Sequence, residues 1–134
     1  MSQENVDVAK QCIDAFNARQ VDAFTALTTP DFVWSPSMVA VEGEVFEGSD
    51  GIRRYFDSLS SAWERFLIVP DSFREVPSVV VMLGRLSGHG KNSGVPVDAS
   101  LGMVFDLHDG RIARIRGFLD HAEALQAANL DSES

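Results

Sequence analysis

Cysteine is almost absent from this sequence of 134 residues, and so is any pattern of metal ligands. Cys12 stands alone, so neither an intrachain disulfide nor a Cys-rich zinc site can form. His89, His108 and His121 lack the close spacing of zinc ligands, and no glycine-rich phosphate loop occurs. We therefore expect no metal and no cofactor, and a fold that depends on its apolar core, for which this length suffices.

Basic residues are also scarce. Eleven Lys and Arg stand against 20 Asp and Glu, giving a net charge of −9, and Arg53-Arg54 is the only basic pair. Nucleic-acid binding needs clustered cations to neutralise phosphates, so we expect no nucleic-acid partner. The dispersed acidic residues indicate a solvated surface.

Long hydrophobic runs are missing as well. The longest, Val79 to Leu83, is far too short to span a membrane. The first residues show neither a basic segment nor an apolar one of the kind that secretory signals contain. We therefore expect a cytoplasmic protein without membrane contact, whose single thiol is reduced.

The first half of the chain has helical periodicity. Val6, Ala9, Ile13 and Phe16 form one apolar stripe, and the pattern breaks at 17–19. A second, short helix around Phe24 and Leu27 is followed by a strand at 31–35 and a loop from Ser37 to Gly48. A third helix then carries a stripe listed in sequence order: Ile52, Tyr55, Phe56, Leu59 and Trp63. We expect Ser49 or Asp50 to cap it.

From Phe66 onward the pattern is that of strands. The candidates are 66–74, 78–90, 95–108 and 112–119, separated by turn signals at 92–94 and 108–110. Asp120 is a good cap for a last helix around Leu125. The order predicts an α+β fold, a curved antiparallel sheet wrapped around N-terminal helices. We expect a single domain at 1–130 and a flexible tail at 131–134.

Alternation defines the faces of the last two strands. The inner face of the first carries Ala99, Leu101, Met103, Phe105 and Leu107. A three-residue loop at 108–110 would join this face to Ala113, Ile115, Gly117 and Leu119, because a slip of one residue inverts every side chain. The opposite face combines Arg114 and Arg116 with apolar residues: Gly102, Val104 and Phe118. That half-apolar outer face predicts a homodimer contact.

The layout resembles the SnoaL-like group of the nuclear-transport-factor-2-like superfamily over nearly the whole chain. The resemblance rests on the helix-break-helix at 16–23, the strand at 30–34 and the helix opening at 48–56. It also rests on the hairpin at 108–112 and the last helix at 119–125. It implies a cone-shaped, cystatin-like α+β barrel with a pocket at its open end, and often a dimer. Members include ketosteroid isomerases, polyketide cyclases, epoxide hydrolases, dehydratases and binding proteins, so fold alone does not choose the function.

The family's catalytic positions lack carboxylates here. The ketosteroid isomerase base aligns with Ser35, its protonated acid with Met103 and its first-helix tyrosine near Cys12. The inward carboxylate of epoxide hydrolases aligns near Gly117. Ser35 cannot serve as that base, and the other positions depart from the family's pattern.

Two hypotheses of function remain open. In the first, the protein binds a small hydrophobic or aromatic molecule in a mostly apolar pocket. In the second, it is a cyclase-, isomerase- or hydrolase-type enzyme in which Tyr55 and His89, the latter paired with Asp98, would move protons. Glycines 102 and 117 would leave space in the sheet. The residues that we expect to line the pocket are Phe16, Trp34, Tyr55, Phe56, Trp63, Leu101, Met103, Ile115 and Gly117.

Overall fold

The computed structural model describes residues 2–35, 45–91 and 96–128. Three predicted features lie outside these ranges: residues 37–44 of the predicted loop, the turn at 92–94 and the tail at 131–134. The elements are, in order, α1 (Ser2–Asn17), α2 (Val21–Ala26), β1 (Thr28–Ser35), β2 (Phe46–Glu47), α3 (Gly48–Ala62), β3 (Trp63–Val76), β4 (Val79–Gly90), β5 (Pro96–His108), β6 (Arg111–Phe118) and α4 (His121–Ala127).

The strands form one curved sheet in the order β2-β1-β6-β5-β4-β3. The neighbours from β3 to β6 are antiparallel, whereas β1 runs parallel to β6. The sheet does not close, because β2 and β3 are its two edges. The predicted α+β class with a curved sheet and N-terminal helices is therefore confirmed.

The three N-terminal helices bury their apolar stripes against one face of this sheet, the inner face. Of the stripe predicted on α1, Ala9, Ile13 and Phe16 are buried and Val6 is partly buried; Cys12, beside the stripe, is buried as well. The inner face supplies Leu101, Met103, Phe105 and Leu107 from β5, also as predicted. Together these side chains form the main core cluster.

The turn between β5 and β6 differs from the prediction. His108 pairs with Arg111, so the loop has two residues rather than three. Asp109 (φ 54°) and Gly110 (φ 81°) both have positive φ, the combination that two-residue hairpin turns require. The register of β5 against β6 then shifts between Asp106 and Leu107. Beyond this irregularity the inward side chains of the two strands again lie opposite each other.

Because of that irregularity, the pairing of β5 with β6 that was predicted from the alternation of side chains was wrong. With it, Ile112 and Ile115 are both buried, and Phe105 lies opposite Ile115 rather than Ala113. Leu119, which the prediction placed on the inner face, is 44% exposed.

Helix α4 packs on the outer face of the sheet. Its Ala124 and Leu125 form a second buried cluster with Val81, Leu83 and Val104. A Cβ atom at position 102 would lie only 2.5 Å from the Ala124 Cβ, so Gly102 admits this helix and does not open space toward the pocket. Since Val104 and Gly102 belong to the predicted dimer surface, α4 already covers part of it. The homodimer stays a prediction.

The helix caps give one confirmation and one correction. Asp120 accepts a hydrogen bond from the Ala122 amide at 2.9 Å and caps α4, as predicted. Helix α3 instead begins at Gly48 after Glu47, without a side-chain cap, so the prediction of Ser49 or Asp50 was wrong. Its C-terminus passes directly into β3 at Trp63, whose backbone is already extended.

Candidate functional site

An apolar cavity lies between the N-terminal helices and the inner face of the sheet. The space between its lining atoms amounts to about 350 Å³ including the open mouth, of which about 30 Å³ can be reached by the centre of a water molecule. A single water needs roughly 10–15 Å³ of the volume that the centre of a water molecule can reach, so the cavity is narrow. The lining residues are Phe16, Trp34, Tyr55, Phe66, Ile68, Leu86, Leu101, Met103, Ile115 and Gly117.

Strand alternation delivers most of this lining. Residues two apart on a strand share a face, and three strands each contribute to the cavity in this way. The pairs are Phe66 and Ile68 on β3, Leu101 and Met103 on β5, and Ile115 and Gly117 on β6. The helices add Phe16 from α1 and Tyr55 from α3.

The end of α1 is fixed to the cavity wall by polar contacts. The Asn17 side chain donates to the Ile68 carbonyl and accepts from the Ile68 amide, both at 2.9 Å. The Arg19 guanidinium donates to the carbonyls of Phe16 and Phe66, both at 2.7 Å. These four bonds hold Phe16, Phe66 and Ile68 in position around the cavity.

Among the residues that the structure describes, Tyr55 is the only one in the cavity lining with a titratable side chain. Its ring lies 4.4 Å from the Trp34 ring, 5.1 Å from Phe46 and 6.4 Å from Phe16, centroid to centroid. Burial raises the pKa of its hydroxyl well above the ordinary value, and the positive charge of Arg19 partly opposes this. Tyr55 is thus neutral at ordinary pH, and its hydroxyl can donate a hydrogen bond.

Two residues predicted for the pocket lie beside it instead. Phe56 is buried, but it packs against the rings of Phe16, Phe24 and Trp34 as part of the core. It follows Tyr55 by one residue on α3, which turns its side chain by about 100° around the helix axis. Trp63 starts β3 rather than ending α3, and its ring packs on Phe66, with centroids 5.1 Å apart.

The structure does not bring His89 to the cavity. Leu86 of β4 points inward, so alternation places Ser87 and His89 on the outer side of the same strand. Asp98, the proposed partner, lies opposite Ser87 and pairs with Arg85 at 3.2 Å. The predicted His89–Asp98 pair is therefore not formed.

Three lining residues were missed in the sequence: Phe66, Ile68 and Leu86. All three lie on predicted strands, and their even spacing was visible. The signal that could have identified them is the same alternation that identified Leu101 and Met103. It was not applied to β3 and β4.

None of the described residues that line the cavity carries a carboxylate. Met103 and Gly117 lie in the lining, in place of the acids that the family resemblance would require. Cys12 is buried in the core, and burial raises the pKa of its thiol, so it is a poor nucleophile. Within the described ranges, no group of three or more potential metal ligands occurs, and no helix is long and apolar enough to cross a membrane.

These features define a class: a small α+β domain in which an open, curved sheet and three helices enclose an apolar cavity. The family follows from the sequence. The model of the SnoaL-like domain matches residues 9–115, and the chain belongs to that family. No curated protein matches this sequence.

Solved structures share the whole fold. An NTF2-like protein of unknown function from Burkholderia pseudomallei has a TM-score of 0.79 at 20% identity, over 92% of this chain and 95% of its own. TerC, co-crystallised with polyporic acid, has a TM-score of 0.78 at 17% identity, over 95% and 97%. A protein from Jannaschia sp. CCS1 named "putative SnoaL-like polyketide cyclase" has a TM-score of 0.75 at 23% identity, over 96% and 90%. At these identities the likeness shows the fold.

Proposed function

We propose that this protein binds a small hydrophobic or aromatic molecule in the cavity between the helices and the sheet. The observation that carries the proposal is the composition of the lining. In the described part of the lining, the only N–H or O–H side-chain donors are the Tyr55 hydroxyl and the Trp34 indole. The other described lining residues have hydrocarbon or thioether side chains, or are glycine. Such a lining suits an apolar ligand with one or two polar atoms. The TerC structure with polyporic acid supports a ligand in this fold.

The narrowness of the cavity limits the ligand's size. With the side chains as they lie in this structure, the cavity accommodates little more than a few waters. A single aromatic ring requires the mobile parts of the lining, such as Met103 with its flexible side chain, to adjust. We therefore infer one-ring compounds as suitable first probes.

An enzymatic role of the cyclase, isomerase or hydrolase type is the alternative. It would depend on Tyr55, since no other titratable side chain lines the described part of the cavity. General acid–base catalysis works best when the group's pKa lies near the operating pH. Because burial moves the pKa of Tyr55 away from that range, binding is the better proposal.

The two tryptophans offer a direct test of binding. Trp34 lines the cavity and Trp63 does not, and the chain contains no other tryptophan. In Trp63→Phe, fluorescence comes from Trp34 alone. Adding 4-iodophenol, whose iodine quenches tryptophan, should give saturable quenching. For a ligand of this size we expect a Kd on the order of 0.1–1 mM.

The matched control is Trp34→Phe, in which only Trp63 fluoresces. There the same additions should give weak, linear quenching from collisions in solution. Non-saturable quenching of equal strength in both variants would contradict the proposal.

A further inference from the structure

Gly117 is the position in the described lining at which the cavity wall has no side chain. It lies on β6, two residues after Ile115 on the same face. A glycine inside a strand often marks a place where a ligand approaches the backbone closely. Gly117 is also partly exposed, whereas the other described lining residues are buried. Both features indicate that the cavity opens beside Gly117, where no side chain obstructs a ligand.

Met103 lies directly opposite Gly117 on the neighbouring strand. The two residues pair across β5 and β6, and paired residues of antiparallel strands have Cα atoms about 5 Å apart, with their side chains as neighbours. On the β4 side, Met103 pairs with Met82, which is fully buried in the core. The open space beside Met103 is therefore on the Gly117 side. The unbranched Met103 thioether can move into this space or out of it.

The wall near the end of α1 is less adaptable. The Phe16 ring packs edge-to-face against the rings of Phe66 and Trp34, with centroids 6.0 Å and 5.9 Å away. Arg19 bonds to the carbonyls of both Phe16 and Phe66, so the backbone is fixed there as well. Because this side of the cavity is held in place, the position of the Met103 side chain determines how much room a ligand has.

We propose that Met103 and Gly117 form the size-selective part of the cavity and restrict the ligand to a single aromatic ring. The ring lies flat against the backbone at Gly117, and the Met103 thioether contacts the edge of the ring, where sulfur–aromatic contacts are favourable. A second, fused ring inside the cavity would need the space that the Met103 side chain occupies. Met103 is thus a specificity-determining residue, and this inference rests on the proposed binding function.

The test compares a one-ring probe, 4-iodophenol, with a two-ring probe, 2-naphthol, by isothermal titration calorimetry. One excess carbon unit in a filled apolar pocket costs about tenfold or more in binding, so the wild-type protein should bind 4-iodophenol at least about tenfold more tightly than 2-naphthol. Met103→Ala removes most of the limiting side chain, and it should lower the Kd of 2-naphthol by about tenfold or more.

Leu101→Ala is the matched control. Leu101 also lines the cavity, two residues before Met103 on the same face of β5, but it does not pair with Gly117. This substitution enlarges the cavity at a different point, and it should improve the binding of 2-naphthol far less than Met103→Ala does. Equal improvement in the two variants would overturn the inference, as would wild-type protein that binds both probes equally well.

Gly117→Ala tests the other half of the pair and removes no side chain from the core. Its new methyl group would take the place of the ligand ring, so the Kd of 4-iodophenol should rise by about tenfold or more. Thermal unfolding checks that each variant is folded. If Met103→Ala does not fold, Gly117→Ala decides: an unchanged Kd of 4-iodophenol would overturn the inference and leave the apolar binding site intact. Failure of the wild-type protein to bind 4-iodophenol would overturn the proposed function and this inference with it.

Discussion

Single residues in this protein show how far burial determines their chemistry. Cys12 and Tyr55 are 1% and 4% exposed, and burial raises the pKa of each above its ordinary value. The sequence predicted that Tyr55 would lie on the buried stripe of α3, and it identified most of the lining. The outward position of His89 also follows from the sequence, because the alternation that turns Leu86 inward on β4 turns His89, three residues later, outward.

The raised pKa values predict the response of stability to alkaline pH. A group that stays protonated in the native state stabilises it below the group's unfolded pKa, and this contribution is lost as pH rises further. Cys12, with an unfolded value of 9.0, should lower the free energy of unfolding by about 1.4 kcal/mol per pH unit above pH 9. Above pH 10, its ordinary value, Tyr55 should add a similar slope.

Urea denaturation between pH 8 and pH 11 would measure these slopes. Cys12→Ala should remove the first one while lowering stability at all pH values through the lost packing. An unchanged slope between pH 9 and pH 10 in Cys12→Ala would show that the thiol is not the cause.

At the level of elements, most boundaries followed from periodicity and turn chemistry. The exceptions have physical reasons. The positive φ angles at Asp109 and Gly110 produce the shorter turn. An irregularity beyond it, which a simple alternation of side chains does not show, then corrects the register between β5 and β6. The position of α4 on the outer face also escaped prediction, since its apolar residues fit either side of a sheet.

The docking of α4 makes Gly102 a critical residue. Gly102→Ala should destabilise the protein by about 1–3 kcal/mol, because the new methyl group would overlap Ala124. Ala124→Gly in the same protein should recover part of this loss despite its own cost in helix propensity. Ser100→Ala, at an exposed position on the same face of β5, should change stability by no more than about 0.5 kcal/mol.

Thermal and urea unfolding of these variants would measure both effects. Equal stability of Gly102→Ala and Ser100→Ala would mean that α4 does not rest on Gly102. The same measurement on Asp120→Ala should show a loss of about 1 kcal/mol from the missing cap.

At the scale of the whole molecule, the cavity is formed jointly by the helices and the sheet. Residues from α1, α3, β1, β3, β4, β5 and β6 meet in it, so no single pattern could define its width. The sequence did predict its apolar character and the lack of inward carboxylates on the last two strands. None of the described residues that line it is acidic, although the chain carries a net charge of −9.

If a small aromatic ligand enters this cavity, the methyl groups of the methionines can report its position. Met103 lines the cavity, whereas Met82 is buried in the core outside the lining. In protein labelled with ¹³C at the methionine methyl groups, 4-iodophenol should give nuclear Overhauser contacts to the Met103 methyl and none to that of Met82. Met103→Leu assigns the signal. Absence of any contact to Met103 at saturating ligand would contradict the account.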